Sequence, residues 1–521
     1  IVDQAPQASR TSKALGVHAR TMEYFERVGL AERAMAEGRK LHGGSIYSQH
    51  QRIVHLNFDQ LESRYNFILI LPQSDTEKLL AEKLAEFGVS VERNVELIGF
   101  HQQAADVEAI LRHADGREET LRAAWLIGCD GAHSRVRREL EMPFHGHAFE
   151  ETFSLADVRL EANLPDDEMS VFLSSGDIVA LFPMPGERRF RIIIERHEGP
   201  PVAGEPTLAE FQRALDDHAP VAARASDAVW MSHFRISQRQ VEHYRRGRVF
   251  LAGDAAHIHS PVGGQGMNTG IQDAVNLAWK LALVAGGHTT EKLLDSYEEE
   301  RRPIGRRLLQ ATGAMSQAIL LRHPVADKLR DWTASLVTSL DVVQDKIRKS
   351  LSELGIHYRA SSIVADDRPG DWRTALASLW DSGPRAGDRA PDASGLRTAD
   401  GKELRCFDLL AGTRHVMLLF AAGSGDEAVA LACRQRLKQI AQRHGGHLEF
   451  YTVLPPAGPA ASAAHDSSTL IDAGGELHRN YSVRDELLLI VRPDGYLAYR
   501  GEPADPDKVE AYLAGLLKTD Y

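Results

Sequence analysis

The sequence predicts an α/β protein with about three domains. Helix-like and strand-like patterns alternate over residues 1–145 and again from residue 248, whereas residues 150–235 carry mainly strand-like patterns. A stretch rich in proline, glycine and aspartate at 383–391 then precedes a second compact run of strands and helices. The length of 521 residues agrees with this division, since one domain takes roughly 150 residues.

The individual elements follow from residue spacing and turn residues. Apolar residues at helical spacing predict helices over 20–29, 73–87 and 270–285. Asp115-Gly116 and residues 184–187 are predicted turns. Strands before the linker are expected over 89–91, 107–113, 121–128, 152–160, 178–183, 189–195 and 249–252. Beyond it we expect strands over 416–420, 448–453, 487–491 and 496–499, and helices over 427–444 and 507–517.

Composition is that of an ordinary globular protein, with 43% hydrophobic and 26% charged residues. The net charge of −12 predicts repulsion of nucleic acid, and no apolar run approaches the ~20 residues that a membrane span needs. Cys129, Cys406 and Cys433 lie far apart without a CxxC pair. That pattern excludes a disulfide framework and a cysteine-based zinc site, and it agrees with a reducing cytosol.

The most specific motif is the run GRVFLAGDAAHIHSPVGGQGMN at 247–268. Its predicted strand ends at Gly253, where the missing Cβ lets a ligand approach the backbone. Asp254 follows at the carboxyl end of that strand, where α/β proteins bind ligands, and its carboxylate suits a sugar hydroxyl. The glycine-rich part then offers bare N–H groups at a helix start, where negative charge is stabilised. We therefore assign cofactor contacts to five loop residues: Pro261, Gly264, Gly266, Met267 and Asn268. A tight turn without a ligand is the alternative, and the number of glycines weighs against it.

A second strand-to-helix motif, LIGCDGAHSRVR at 126–137, repeats this arrangement. Asp130 and Gly131 are expected near the ribityl or pyrophosphate part of a cofactor, and Ser134 is a candidate N-cap. The arginines at 135, 137 and 138 would face phosphate. The alternative is a plain strand–turn–helix with a solvated basic face.

Two shorter segments add candidates. After Leu71-Pro72, Ser74 and Glu77 have the spacing of a capping box, which is a structural role, whereas Gln73 is a candidate donor or acceptor for a ribityl hydroxyl. Arg20 stands before a helix and is a candidate contact for flavin or phosphate, although it would also be unremarkable on a helix surface. Lone histidines such as His18, His257 and His259 are interpreted as structural.

Together these segments resemble the single-component, class A flavoprotein aromatic hydroxylases, in the branch of phenol hydroxylase, 3-(3-hydroxyphenyl)propionate hydroxylase and the polyketide hydroxylases. The resemblance covers nearly the whole chain. It rests on these elements: LGVHART at 15–21, Pro72-Gln73-Ser74, Cys129-Asp130-Gly131, the 253–268 motif, the helix with Asp273, Asn276, Leu277, Trp279 and Lys280, and Tyr297 with Glu300-Arg301-Arg302-Pro303.

The resemblance implies a glutathione-reductase-type FAD-binding domain, an inserted β-sheet substrate domain and a C-terminal thioredoxin-like domain. The corresponding stretches are 1–150 and 246–384 for the FAD domain with its helical segment, 151–245 with part of 40–70 for the substrate domain, and 385–521 for the C-terminal domain. Residues 421–424 read Ala-Ala-Gly-Ser, so the last domain lacks the thiolates of an exchange reaction. Homodimerisation is implied only by the resemblance.

Two features depart from the family pattern. Its GxGxxG unit is absent from the sequence, and Ile1-Val2-Asp3 matches the end of that unit's second strand, where Asp3 would bind ribose. We therefore expect roughly 30 residues to precede Ile1. Lys13 stands where many relatives carry arginine, and these two residues are not interchangeable in phosphate contacts.

The implied activity is hydroxylation of a phenolic ring with O₂. NADH or NADPH would be the transient electron donor and a flavin C4a-hydroperoxide the oxygen carrier. Two alternatives stay open: a Baeyer–Villiger or polyketide-tailoring oxygenase, and a flavin-binding protein without turnover. The sequence does not identify the substrate or the base that activates it. Phe172, Phe182 and Met184 could line its cavity or belong to the core.

Overall fold

The computed structural model describes residues 1–9, 11–174, 177–196, 204–259, 264–320, 341–368, 383–421, 427–456 and 466–519. The helices are α1 Ala19–Arg27, α2 Ala31–Glu37, α3 Gln73–Glu86, α4 Arg135–Glu139, α5 Leu208–His218, α6 Gly266–Ala285, α7 Asp295–Leu320, α8 Asp341–Leu351, α9 Cys406–Leu409, α10 Glu427–Gln442, α11 Glu476–Asn480 and α12 Pro506–Leu516. Short 3₁₀ helices span Gly253–Ala255 and Glu291–Leu294. Within these ranges, every helix is too short or too polar to cross a bilayer.

The strands up to residue 260 are β1 Val2–Asp3, β2 Gly16–Val17, β3 Arg39–Leu41, β4 Gly43–Ser48, β5 Gln51–Asn57, β6 Ile68–Ile70, β7 Glu92–Arg93, β8 Val95–Gln102, β9 Val107–His113, β10 Glu118–Ala123, β11 Leu126–Gly128, β12 Phe144–Ala162, β13 Glu168–Ser174, β14 Asp177–Pro183, β15 Arg189–Arg196, β16 Ala223–Val241, β17 Arg245–Arg246, β18 Val249–Leu251 and β19 His257–Ile258. The later strands are β20 Ala365–Asp367, β21 Leu396–Thr398, β22 Glu403–Leu404, β23 His415–Phe420, β24 Leu448–Leu454, β25 Thr469–Asp472, β26 Leu487–Val491 and β27 Leu497–Gly501.

The first α/β region contains two parallel strand pairs. Strand β1 pairs with β7, which confirms the prediction that Val2 and Asp3 lie in a strand. Strand β11 pairs with β18 in register, Leu126 opposite Val249 and Gly128 opposite Leu251. The β18 side chains are fully buried. Since both strands run in the same direction, the segments that follow them emerge at one edge of the sheet.

Two strand predictions in this region were wrong in detail. Residues 89–91 are not a strand: Gly88 ends helix α3 with φ +74°, and the backbone N–H of Val89 still donates to Leu84. Residues 121–128 are two strands, because the chain leaves the β9–β10 hairpin at Ala123 and joins β18 only from Leu126. The hairpin turn at Asp115-Gly116 is confirmed.

The β-rich region forms an eight-stranded sheet in the order β19-β16-β12-β15-β14-β13-β4-β5. One face packs against helix α5 through a fully apolar cluster that includes Phe172, Val179, Ile192 and Phe211. Phe172 is 1% exposed and therefore belongs to the core. We call this side of the sheet the closed face and its opposite side the open face.

The C-terminal region contains a second eight-stranded sheet, in the order β20-β27-β26-β23-β24-β25-β21-β22. Its central strands β23 and β26 are buried on both faces, which explains why they were predictable as continuous apolar runs. Strand β25 was missed, because its four residues carry too short a pattern. Burial raises the pKa of the Cys406 thiol to about 12 and that of Cys433 to about 11, so neither thiol is reactive.

Candidate functional site

The two strand-to-helix motifs meet in the structure. Asp130 follows β11 and Asp254 follows β18, so both lie beyond the carboxyl ends of neighbouring parallel strands. The backbone N–H of Ala252 donates to Gly128 O at 3.0 Å, and the Arg137 guanidinium donates to Ala255 O at 3.0 Å. This edge of a parallel sheet is the position where α/β proteins bind ligands.

Asp254 has the environment expected of a carboxylate that receives a ligand. It lies in the 3₁₀ turn Gly253–Ala255, which Gly253 enters with φ +60°. Within the described ranges, its carboxylate has no hydrogen-bond or ion-pair partner, and the side chain is exposed. Crowding by protein atoms raises the pKa of its carboxyl, while the charges of His257 and Lys13 oppose that rise. A hydroxyl donor would stabilise this carboxylate without displacing any protein contact.

The glycine-rich loop leads into helix α6 at Gly266, four residues before the predicted start. Gly264 takes φ +64°, and a Cβ there would lie 3.7 Å from the His18 ring. The first N–H groups of α6 have no acceptor within the helix and form the positive end of its dipole. Met267 packs against the core beside α1. Pro261 falls outside the described residues.

Asn268 holds the loop rather than projecting from it. Its side-chain oxygen accepts from the His18 backbone N–H at 3.0 Å, and its amide donates to Gly16 O at 2.8 Å and Gly264 O at 3.0 Å. The side chain is fully buried. Any cofactor contact of Asn268 would therefore come from its backbone, and these side-chain bonds explain why the helix forms despite its glycines.

His18 lies beside the same loop in neutral form. Burial lowers the pKa of its imidazole to about 4, and its Nδ1 has no hydrogen-bond partner in the described part of the chain. Sequence reasoning did not select it, because a histidine before an amphipathic helix carries no functional signal by itself.

Asp130 has a structural role in addition to its predicted cofactor contact, which stays a prediction. Asp130 Oδ2 accepts from the backbone N–H groups of Arg135 and Val136, so it caps helix α4 together with Ser134, the predicted N-cap. Gly131 has φ +76°, a conformation that favours glycine.

The three arginines of this motif all donate to backbone carbonyl groups of the protein. Arg135 donates to Ile98 O, Arg137 to Ala132 O and Ala255 O, and Arg138 to Ser134 O. These arginines were expected to bind phosphate because they follow a glycine turn in the sequence. In the structure they donate hydrogen bonds to nearby backbone carbonyl groups.

Arg20 was predicted to contact flavin or phosphate, and its surroundings in the structure favour a structural role. Its guanidinium is buried between Tyr24 and Tyr496, with donors to Glu23 and to the carbonyl of Asp494. It therefore joins α1 to the C-terminal region. No sequence signal distinguished this long-range partner from a ligand.

Gln73, Asp3 and Lys13 have different surroundings. Gln73 donates to Glu77 at 2.8 Å and accepts from Ala14 N, bonds that a ribityl contact would have to replace. The predicted Ser74–Glu77 capping box does not form, since α3 begins at Gln73, whose N–H donates to Ser12 Oγ. Asp3 pairs with Arg93 at 2.5 Å. Lys13 is exposed and close enough to Asp254 to affect its titration.

A buried cluster behind Gly253 fixes the strand end. Asp273 accepts from Gly253 N at 3.0 Å, from Arg301 Nε at 2.7 Å, and contacts His257 Nε2 at 2.7 Å. Arg301 also donates to Thr269 O at 3.1 Å in helix α6. The charges of Arg301 and His257 outweigh burial and lower the pKa of Asp273. The contact with Asp273 confirms the interpretation of His257 as a structural residue. In the sequence, the cluster could have been noticed only from the polar residues within the otherwise apolar helix α6.

The open face of the substrate-region sheet lies toward this site. Arg191 forms a two-pronged ion pair with Asp157, at 2.7 and 2.8 Å, and its third donor reaches Lys13 O at 3.0 Å. Phe182 is the cross-strand neighbour of Arg191, and Trp230 is the cross-strand neighbour of Asp157. Both aromatic side chains are half-buried. A face that combines half-buried aromatic side chains with a few polar groups, beside the strand ends, suits a planar organic substrate.

Comparison with known proteins agrees with a nucleotide-cofactor site at these strand ends. Residues 1–312 match the family model described as "FAD binding domain", and the chain therefore belongs to that family.

Its relatives define the class further. The chain is 33% identical over 99% of its length to 6-methylpretetramide 4-monooxygenase of Streptomyces rimosus, and 33% identical over 96% to pentachlorophenol 4-monooxygenase of Sphingobium chlorophenolicum, with 88% of each relative covered. The structure of an anhydrotetracycline hydroxylase from Streptomyces rimosus matches with a TM-score of 0.73 and 28% identity, over 98% of this chain and 92% of that one. The protein is an FAD-dependent aromatic monooxygenase, a family whose usual electron donor is NAD(P)H.

Proposed function

We propose that this protein hydroxylates a phenolic substrate with O₂, using electrons from NADH or NADPH. The observation that carries the proposal is the Asp254 carboxylate at the β18 end, which has no partner among the residues the structure describes, with the bare N–H groups of the α6 start beside it. FAD bound there supplies hydride acceptance and oxygen activation. The chain supplies position, charge and exclusion of water.

Each part of the cofactor has a candidate residue. Asp254 would accept a hydrogen bond from a ribityl hydroxyl, and Lys13 would meet the phosphate charge. The N–H groups from Gly264 to Asn268, at the positive end of α6, would stabilise negative charge on the reduced ring system. We retain Pro261, Gly131 and Asp3 as predicted contacts, the last toward ribose.

The open face offers the substrate surface. Phe182 and Trp230 are candidate contacts for an aromatic ring, and Arg191 holds their sheet against the Lys13 segment. One relative is named for a chlorinated phenol and another for a pretetramide. We propose a phenol-bearing substrate, and the choice between a single ring and a fused system is left to experiment.

We also propose that residues 385–521 form a redox-inert, thioredoxin-like domain. Its support is the strand order β27-β26-β23-β24-β25 together with the raised pKa of the buried Cys406 thiol and of the half-buried Cys433 thiol. A thiol–disulfide exchange assay with this protein should give no activity above background.

The test uses the purified protein as it is expressed in the cell. It should be yellow with bound FAD, and a phenol should accelerate its oxidation of NADH or NADPH. A panel of phenol, chlorophenols, phenylpropionates and polycyclic phenols should yield a product with one added oxygen on the ring. Insertion of oxygen next to a ketone would identify a Baeyer–Villiger enzyme instead, and FAD binding without any product would identify a non-catalytic flavoprotein.

A further inference from the structure

A buried glutamate is hydrogen-bonded to helix α6, which begins at the glycine-rich loop. Glu353 is 3% exposed and lies two residues beyond helix α8, with φ +60°. Its carboxyl accepts from Thr269 Oγ1 at 3.2 Å and from the side-chain amide of Gln272. Both donors lie in the first two turns of α6, which starts at Gly266. The left-handed backbone conformation of Glu353 is unfavourable for a residue other than glycine. Together with the two side-chain hydrogen bonds, it indicates that the surrounding structure fixes the position of Glu353.

Neighbouring residues add two backbone contacts to the same place. Ser350 O accepts from Gln265 Nε2 at 2.7 Å, directly beside the glycine loop. Ser352 O accepts from the backbone N–H of Arg20 at 3.2 Å. We call residues 350–353 the clamp. Its contacts fix the loop end of α6 to the end of α8 and to the start of α1.

The other side of this segment faces the substrate region. Ile347 and Leu351 of helix α8 pack against the apolar cluster that also receives Phe182 and Met184 from the substrate-region sheet. Helix α8 and the clamp therefore contact both the surface proposed for the substrate and the loop proposed for the cofactor. Packed interiors transmit displacements between such contacts because they have few voids.

Glu353 is a titratable side chain in a buried place. Both direct donors, Thr269 and Gln272, are uncharged. Burial raises the pKa of the Glu353 carboxyl to about 8, while the Arg301 charge from α7 opposes the rise and the Asp273 charge from α6 adds to it. Loss of the proton would leave a charge in this buried place that the hydrogen bonds from Thr269 and Gln272 compensate only in part, so alkaline pH should destabilise the clamp as a whole.

We infer that Glu353 is a positioning residue, which holds the glycine loop in its cofactor-binding place through the clamp. The inference rests on the proposed function, since it assumes that FAD lies at this loop. Glu353 itself does not contact the reacting atoms. It acts through Thr269, Gln272 and the Gln265 contact beside it.

The experiment measures FAD affinity from quenching of flavin fluorescence across pH 6–9, on wild type, Glu353→Gln, Glu353→Ala and Thr269→Val. We expect wild type to lose affinity with a midpoint near pH 8. Glu353→Gln, which copies the neutral form, should bind FAD within about twofold of wild type at pH 7 and lose that midpoint. Glu353→Ala and Thr269→Val should weaken binding about tenfold at pH 7, because buried donors or acceptors lose their partners.

Glu242→Gln is the matched control, since Glu242 is exposed and far from the clamp in sequence. It should leave the wild-type pH profile unchanged. The inference is overturned if Glu353→Gln keeps the midpoint, or if Glu353→Ala and Thr269→Val bind FAD as wild type does. Should Glu353→Ala fail to fold, Glu353→Gln and Thr269→Val still decide the question. Wild type that binds no FAD would refute the proposed function instead.

Discussion

Helix α6 is held differently at its two ends. At the loop end, Asn268, Thr269 and Gln272 make hydrogen bonds to backbone groups and to one carboxyl, that of Glu353. At the far end, Lys280 belongs to a cluster of four buried charges: Lys280, Glu300, Arg492 and Asp494.

The charged cluster ties α6 to the C-terminal region. Arg492 binds both oxygens of Glu300, at 2.6 and 3.0 Å, and also reaches Asp494. Lys280 Nζ lies 2.8 Å from Glu300, and Trp279 Nε1 donates to Asp494 at 3.2 Å. Arg492 and Lys280 together outweigh burial and lower the pKa of Glu300, so it stays ionised at neutral pH.

The difference assigns separate tasks to the two ends. Two positive and two negative charges, buried together, form a lock that is costly to open from one side. Hydrogen bonds between neutral groups are weaker, and at the loop end Asp254 has no partner in the described part of the chain. We therefore expect the far end to determine the stability of the fold and the loop end to determine cofactor affinity.

The largest effect is expected from Arg492→Met. It leaves Glu300 and Asp494 as buried charges with one cation between them, so the free energy of unfolding should fall by about 3–5 kcal/mol. Urea titration of the protein without added FAD measures it. The matched control is Arg397→Met, which removes an exposed pair with Glu403 and should change stability by less than about 1 kcal/mol. Equal losses in both variants would contradict the lock.

At the loop end, Asp254→Asn should act on affinity instead. An amide oxygen replaces a charged acceptor, so FAD affinity should fall about tenfold to a hundredfold, which corresponds to roughly 1.5–3 kcal/mol. Stability without FAD should not fall, since crowding already disfavours the Asp254 charge. Isothermal titration with FAD and a urea titration separate the two quantities. A variant that loses stability while keeping FAD affinity would reverse the comparison.

The sequence predicted the loop end better than the lock. The loop end carries local signals, namely its glycines and an aspartate that follows a buried strand. These signals were enough to predict that Asp254 and Gly264 lie between the strand end and the helix start. Glu300 is distant in sequence from Arg492 and Asp494. No local sequence pattern shows that these two charged segments will be buried together.

Long-range contacts also explain what the sequence could not show about the arginines. Arg20 and the arginines of the Asp130 motif were assigned to phosphate because a guanidinium near a glycine turn suits it. In the folded chain, protein carbonyl and carboxylate groups take these donors first. Glu353 was not noticed at all, since its partners on α6 lie about 80 residues earlier in the chain.

The pH dependence of stability should distinguish the two carboxyl groups. Folding raises the pKa of Glu353 from 4.5 to about 8, so between these values the folded state holds one more proton than the unfolded state. Stability contributed by that proton is complete below pH 4.5 and declines with rising pH, by about 1.4 kcal/mol per pH unit. Glu300 has a lowered pKa and stays ionised in this window, so it adds no slope.

Urea midpoints at pH 5.5, 6.5 and 7.5 test this on wild type and Glu353→Gln. Glu353→Gln should lack the contribution to stability that declines with pH. Its free energy of unfolding should therefore rise relative to that of wild type as pH rises. The window ends below pH 8, where the Lys280 amine starts to titrate because burial lowers its pKa to about 8. Parallel pH profiles would show that Glu353 is ionised in the folded protein.

The smallest effect on stability is expected from Gly264→Ala. Its φ of +64° costs an alanine about 1 kcal/mol, and the added Cβ meets the His18 ring at 3.7 Å, an ordinary van der Waals distance. Gly116→Ala is a close match, since Gly116 has φ +83° and open space around it in the β9–β10 hairpin. Both variants should lose similar stability, but only Gly264→Ala should also weaken FAD binding, because it shifts the N–H groups at the start of α6. If both variants bound FAD equally well, the loop end of α6 would have no special part in holding the cofactor.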